Sequence, residues 1–270
     1  MLLSELQKKI TKILAEGGIE TNSLDARIIL KEIFNFDEKE LILNSDLILS
    51  ESKISKVQKI ITRRLNLEPV SKIFGKRDFY NSTFSISDDV LDPRPETENI
   101  VEIANNFILE KGYESFIDLG TGSGCIILSI LKENKNLTAV GVDISIDAIN
   151  IAKKNSKDMN LEKRSSFLVS NWLSSIYSSY DLIISNPPYI PSDEIITLSK
   201  TVKNFDPLIS LDGGQDGLEC YKEIAQDINR VINKNGRVIL EIGYNQAHDV
   251  IKIFESKEFK LLKIYNDING

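Results

Sequence analysis

Four consecutive residues, Asn186-Pro187-Pro188-Tyr189, gather the groups that a planar NH2 needs. The two prolines fix φ and carry no N–H, so the carbonyls stand as acceptors without competing donors. An Asn side-chain oxygen and a Pro carbonyl oxygen offer two acceptors for two amide protons, and the tyrosine offers a face for the plane to stack on. An amide nitrogen is a poor nucleophile because its lone pair is delocalised into its carbonyl. Hydrogen bonds to both protons draw it toward a tetrahedral shape and aim the lone pair at an electrophile such as a methyl sulfonium. Positioning of this kind is worth up to ~7–11 kcal/mol of barrier. No strong base is required, since the proton can leave after transfer.

A second constellation lies upstream. The run FIDL passes directly into Gly120-Thr121-Gly122-Ser123-Gly124, and a helical stretch follows. Glycines at this spacing permit a tight turn, positive φ and close approach of backbone to ligand. The spacing is G-x-G-x-G, and the last Gly or Ala of a dinucleotide fingerprint would fall on Cys125. Asp143 ends the next β-branched run, at the place where a carboxylate can accept both ribose hydroxyls. Both features suit S-adenosylmethionine at least as well as NAD, and the former needs no phosphate grip. As an alternative, Asp143 or Ser145 caps the helix that follows.

The elements that must hold these groups follow from periodicity. From residue 115 onward, β-branched runs (FIDLG, TAVGVDI, SSFLVS, YDLIISN, GRVILEIG and a last FKLLKIYND) alternate with helical stretches, which predicts βαβ units and a parallel sheet. Asn186 then sits at a strand end, where ligands bind in open α/β sheets. Residues 1–67 predict three amphipathic helices, through Leu2–Leu14, LDARIILKEIF and SKISKVQKIITRRL. Residues 68–92 read as a β-hairpin linker turning near Gly75 and Asn81-Ser82. Pro95 with Glu96 and Glu98 suits the start of a further helix. The expected domains are therefore 1–67, 68–92 and 93–270.

Composition narrows the classes. Hydrophobic residues make up 41% and charged residues 27% of the 270. That is ordinary for a folded chain rather than a disordered one. Forty acidic against 33 basic side chains give a net charge of −7, which disfavours direct gripping of duplex nucleic acid. No apolar run approaches the ~20 residues of a membrane span, and the N-terminus lacks the order of a signal peptide. Two cysteines make no disulfide scaffold, and no CxxC or HxxxH pair offers a zinc site. The expectation is a metal-free cytoplasmic protein.

FIDLGTGSG, Asp143 and SNPPYI together resemble the class I S-adenosylmethionine-dependent methyltransferases of planar amines and amides. DFYNSTFSISDDVLDPRPETE, DGGQDGLECYKEI and GRVILEIGYNQ resemble the release-factor glutamine methyltransferases more narrowly, over nearly the whole chain. The resemblance implies a Rossmann-like, mostly parallel seven-stranded sheet with a small N-terminal helical bundle joined by a hairpin. It implies S-adenosylmethionine as cofactor and the Gly-Gly-Gln glutamine of peptide chain release factors as substrate. Gly120, Thr121, Gly122, Ser123 and Gly124 then line the cofactor, Asp143 takes the ribose, Trp172 lies beside the adenine, and Asn186 also borders the cofactor. Asn186, Pro187, Pro188 and Tyr189 hold the glutamine amide, with Arg94-Pro95-Glu96-Thr97-Glu98 over the site. Two positions depart from the family pattern: Asp92, where an apolar residue is usual, and Asn171, where Asp is common. The family's last hairpin usually runs past the final Asp-x-x-Gly, which fits a fragment or the front of a fusion.

Other features read as structural. Gly213-Gly214-Gln215 repeats the substrate tripeptide but reads as a loop. Cys125 and Cys220 read as small core residues, and His248 as a helix-surface residue. Two other functions compete: an exocyclic-amine methyltransferase of RNA or DNA, with Lys72, Lys76 and Arg77 as its contacts, and a catalytically silent binding module.

Overall fold

Five parallel strands form the centre of the second unit in the computed structural model, which describes residues 1–266. Two units divide the chain: Met1–Gly75 with Ser199–Phe205, and Lys76–Leu198 with the residues from Asp206 on.

In the first unit, α1 (Leu3–Glu16), α2 (Asn22–Phe34) and α4 (Glu51–Leu65) turn their apolar stripes inward, and Leu6, Ile10, Leu14, Ile29, Leu30, Val57 and Ile61 make the core. Each such side chain contributes about 1.5–3 kcal/mol on burial. Two short helices join these three. The first, α3 (Glu38–Leu43), starts in a capping box, Asp37 accepting from Glu40 N and Glu40 from Asp37 N. The second, α5 (Val70–Phe74), begins after Pro69 and stops at Gly75, whose φ of 65° lies in the left-handed region, the usual helix stop. Asp25, buried on α2, pairs with Arg64 Nε at 2.6 Å, and the pairing spares both charges an unpaired burial.

The second unit opens with an antiparallel hairpin, β1 (Lys76–Phe79) and β2 (Ser82–Ser85), turning at Tyr80-Asn81. A short 3-10 turn over Pro95–Thr97 leads into α6 (Glu98–Lys111). Then β3 (Ser115–Leu119), α7 (Cys125–Glu133), β4 (Thr138–Asp143), α8 (Ile146–Asp158), β5 (Ser165–Val169) and β6 (Tyr180–Ser185) follow. After α9 (Lys200–Phe205), which is counted with the first unit, come α10 (Glu219–Val231), β7 (Ile232–Leu240) and α11 (Ala247–Glu255). All neighbours in the sheet are parallel, in the order β5-β4-β3-β6-β7. The inner strands β3 and β6 are buried on both faces, hence their apolar runs, while β5 and β7 at the edges are partly exposed.

The sheet has five strands among the described residues, not the seven the family resemblance implies. β7 pairs on one side only. Its free edge faces a groove whose other wall is the non-strand segment 259–266. FKLLKIYND supplies β-favouring residues but, over those residues, no hydrogen-bonded ladder, without which a run is not a strand; its last residue, 267, lies outside the described residues.

Candidate functional site

Register brings the candidate groups to one level. Leu119 stands opposite Val142 on one side and Ser185 on the other, so the next residues, Gly120, Asp143 and Asn186, emerge together from three adjacent strands. At about 4.8 Å between strands the row spans ~10 Å, the scale of a nucleoside. Buried Ser185 locks the row, its hydroxyl donating to the Leu119 carbonyl at 2.8 Å.

Within the glycine loop, Gly120, Gly122 and Gly124 have φ of 70°, 52° and 79°. A side chain at Gly124 would also crowd Ala152 and Leu128 at 3.2 Å, whereas the space beside Gly122 is open. The loop is tied to β4: Thr121 N donates to the Val142 carbonyl and Gly122 N to Asp143 Oδ2, both at 2.9 Å. Asp143 Oδ1 accepts from Ser145 N at 2.9 Å, while the Ser145 hydroxyl caps α8 through Ala148 N. The cap is therefore the serine. Asp143 stays half-buried at the strand end, each oxygen taking one N–H and keeping acceptor capacity. Burial raises its pKa against the opposing hydrogen bonds from Ser145 and Gly122.

Beneath the loop lies an acid with no role in the sequence reading. Asp118 is fully buried, its Oδ2 accepting from the Thr121 hydroxyl at 2.7 Å. Its Oδ1 has no hydrogen-bond partner among the described residues. Burial pushes its pKa up to about 7, with Asp143 adding to the rise. The Asp143 carboxylate at the strand end, with the acid Asp118 beneath the loop, makes a poor seat for a pyrophosphate and a good one for a cationic nucleoside. S-adenosylmethionine, with its sulfonium and ammonium, has that character, so the residues present suit it.

Trp172 takes the left-handed region, φ 46°, and its ring edge stands 3.5 Å from where a Cβ on Gly120 would be. Its Nε1 donates to Glu223 Oε2 at 2.8 Å, which fixes the ring against the loop. Asn171 is exposed.

At Asn186-Pro187-Pro188-Tyr189 the turn is buttressed from outside. Gln246 Nε2 donates to the Tyr189 carbonyl at 2.8 Å and to the Gly217 carbonyl at 3.0 Å, and its Oε1 accepts from Gly243 N at 2.9 Å. Gly213 N donates to the Ile190 carbonyl, and a Cβ on Gly213 would stand 2.8 Å from Tyr189 Cα. The Gly213-Gly214-Gln215 stretch is thus a loop whose glycine admits the tyrosine backbone. No described hydrogen bond uses the Pro187 carbonyl. Asn186 Nδ2 donates to Thr97 Oγ1 at 3.2 Å, which brings the Arg94–Glu98 segment to the site.

Of the remaining candidates, Cys125 is buried with its thiol pushed up to about 12, and half-buried Cys220 to about 11. Neither is a nucleophile's pKa. His248 is exposed on α11. Buried Asp92 faces Arg77 Nε at 3.5 Å, which accounts for a charge at that position; Lys72 is buried. Asp118 and Gln246 escaped sequence reasoning, and Thr97 was expected over the site without a role of its own. Only Asp118, an acid closing a strand before a glycine loop, had a local signal.

Comparison with known proteins is consistent with this geometry. Residues 101–203 match the Methyltransferase small domain family and residues 5–75 the PrmC N-terminal domain family. The release factor glutamine methyltransferase of Agrobacterium fabrum is 37% identical, the match covering 96% of this chain and 91% of that protein. The bifunctional methyltransferase of Rickettsia felis is 34% identical over all of this chain and 56% of its own length. The crystal structure of the hMettl16 catalytic domain with MAT2A 3′UTR hairpin 6 has a TM-score of 0.51 at 16% identity, covering 77% of this chain and 72% of that one, a likeness of fold.

Proposed function

The chain belongs to the release factor glutamine methyltransferase family, and we propose that Asn186, Pro187 and Tyr189 hold a release-factor glutamine amide while it is methylated. The reaction transfers a methyl group from S-adenosylmethionine to the amide nitrogen of the glutamine in the release factor's Gly-Gly-Gln tip. When bound, the cofactor supplies an electrophilic methyl on sulfur. Everything else falls to the protein. Asn186 Oδ1 and the Pro187 carbonyl accept the two amide protons, and the Tyr189 ring with Pro188 confines the amide plane. Held so, the nitrogen turns its lone pair away from its own carbonyl. Gly120 to Gly124 give the cofactor its backbone bed, Asp143 accepts from the ribose, and Trp172 flanks the base.

The single observation carrying this reading is the level row Asp143, Gly120, Asn186 across three adjacent strand ends. It sets a nucleoside acceptor and an amide acceptor about one nucleoside apart. Burial of two acids at the loop favours a cationic cofactor.

A glutamine side chain cannot alone specify a protein substrate, so further surface must contact the release factor. The N-terminal helical unit carries four large apolar side chains, Ile42, Leu43, Leu47 and Ile48, in solvent on and after α3. We assign them to docking, as part of an interface on the order of 1,200–2,000 Å². Such a reaction belongs in the cytoplasm, and no helix among the described residues is long and apolar enough to cross a membrane.

The test is peptide mapping by tandem mass spectrometry after incubating release factor, enzyme and methyl-labelled S-adenosylmethionine. One label on the glutamine of Gly-Gly-Gln is expected. Label on tRNA or DNA in parallel reactions, with none on release factor, would overturn the proposal.

A further inference from the structure

An asparagine amide has an accepting end and a donating end of nearly the same shape, and only one of them serves a substrate NH2. Turning Nδ2 toward the substrate amide would set donor against donor. Asn186 must therefore present Oδ1 to the substrate, and its Nδ2 must find an acceptor on the opposite side. That acceptor is Thr97 Oγ1, 3.2 Å away on a residue 3% exposed. A hydroxyl rotates to offer a lone pair, so it satisfies Nδ2 in the productive orientation.

Thr97 is itself held from behind. It ends the 3-10 turn begun at Pro95, its N–H donating to the Arg94 carbonyl at 3.2 Å. Arg94 Nη2 meets Asp206 Oδ2 at 2.6 Å, and Asp206 Oδ1 accepts from Asp92 N at 3.0 Å. The Asp206 side chain is 3% exposed and that of Arg94 36%, so the carboxylate end of this charge-assisted clamp is shielded from water. The segment from Asp92 to Thr97 thus forms a splint, clamped at one end by Asp206 and touching Asn186 at the other.

We propose that Thr97 is a positioning residue: its hydroxyl accepts from Asn186 Nδ2 and so supports the orientation that turns Oδ1 toward the substrate amide, with Arg94 and Asp206 holding Thr97 in place. The role rests on the reading of Asn186 as an amide acceptor given above. In Thr97→Val a methyl of nearly the same volume replaces the hydroxyl, so packing is kept and the acceptor is lost. The productive orientation then buries an unpaired N–H, which is expensive. Most of the surface that docks the substrate and the cofactor lies on other groups and keeps its strength.

The experiment measures kcat and KM for release factor and the Kd for S-adenosylmethionine in wild type, Thr97→Val, Thr97→Ser and Asn186→Ala. Thr97→Val is expected to lower kcat at least about tenfold, equal to ~1.4 kcal/mol. Its KM and cofactor Kd should stay within about twofold, and Thr97→Ser, which restores the acceptor, should recover most of the lost kcat. Thr97→Val with kcat within twofold of wild type, a serine variant as impaired as the valine one, or a Thr97→Val loss confined to KM each overturns the proposal. Asn186→Ala separates the two levels. If it stays active, the amide-acceptor reading falls and the Thr97 role with it; if it is inactive while Thr97→Val is not, only the Thr97 role falls.

Discussion

Replacing Asp118 with asparagine isolates the cost of burying a carboxylate beneath the glycine loop. The side chain is fully buried, and its pKa is raised from 3.8 to about 7, chiefly by desolvation. Below pH ~4 the group is protonated whether the chain is folded or not. Between there and about 7 the folded chain holds a proton that the unfolded chain has released, so stability falls as pH rises. Above about 7 both states are ionised and the loss is complete. From pH 5 to pH 8 the wild type crosses about two units of this interval, at ~1.4 kcal/mol per unit, or about 3 kcal/mol. Asparagine is neutral throughout, and its oxygen can still accept from the Thr121 hydroxyl. Any cost of putting NH2 at the Oδ1 position is the same at every pH and drops out of the trend with pH. Ionisable groups remote from Asp118 contribute equally to both proteins and cancel in the difference, while the coupling to Asp143 belongs to the Asp118 effect being read. Urea unfolding at pH 5, 6, 7 and 8, extrapolated linearly to water, reads that difference directly. The stability of Asp118→Asn relative to wild type should climb by about 3 kcal/mol across the series. A difference that stays flat with pH would refute the placement of a protonatable acid under the loop.

Three further outcomes follow from the same geometry. Asp143→Ala should weaken S-adenosylmethionine binding at least about tenfold by calorimetry, since charge-assisted acceptors at the strand end are lost; NAD binding tighter than S-adenosylmethionine would contradict the cofactor assignment. Gly213→Ala drives a Cβ to 2.8 Å from Tyr189 Cα, backbone that cannot swing aside. It should cost about 1–3 kcal/mol of stability and lower turnover at least tenfold, whereas unchanged melting and kinetics would show that the loop is not a buttress. Ile42 and Ile48 are 72% and 78% exposed. Changing both to serine should raise KM for release factor about fivefold or more and leave cofactor affinity alone; an unaltered KM would remove these residues from docking.

Much of this was legible before any coordinates, for local reasons. The glycine loop, Asp143 and the Asn-Pro-Pro-Tyr turn each follow a β-branched run, so chain order alone put them at strand ends of a parallel sheet. The short helices α3 and α5 carry caps in the sequence, the Asp37-x-x-Glu40 box and the Pro69 to Gly75 bracket, but their apolar runs are too brief to show a period. The family resemblance implies a seven-stranded sheet, and five strands pair in it among the described residues; the last β-branched run, FKLLKIYND, shows only a tendency to extend, which does not say which edges find partners. Thr97 and Asn186 lie 89 residues apart, Arg94 and Asp206 112, and Gln246 reaches back 57 to Tyr189. No spacing rule operates over such distances. The fold makes those contacts, and periodicity does not encode them.

The most direct measurement compares wild type and Asn186→Ala in single-turnover methylation of intact release factor, with S-adenosylmethionine affinity measured on the same preparations. Loss of one buried acceptor costs about 1–3 kcal/mol, and misdirection of the amide lone pair adds to it. The expected result is a methyl-transfer rate at least about a hundredfold lower, with the cofactor Kd changed less than the rate. An Asn186→Ala enzyme that keeps more than about a tenth of the wild-type rate, a loss under ~1.4 kcal/mol, would contradict the claim that this side chain holds the glutamine amide.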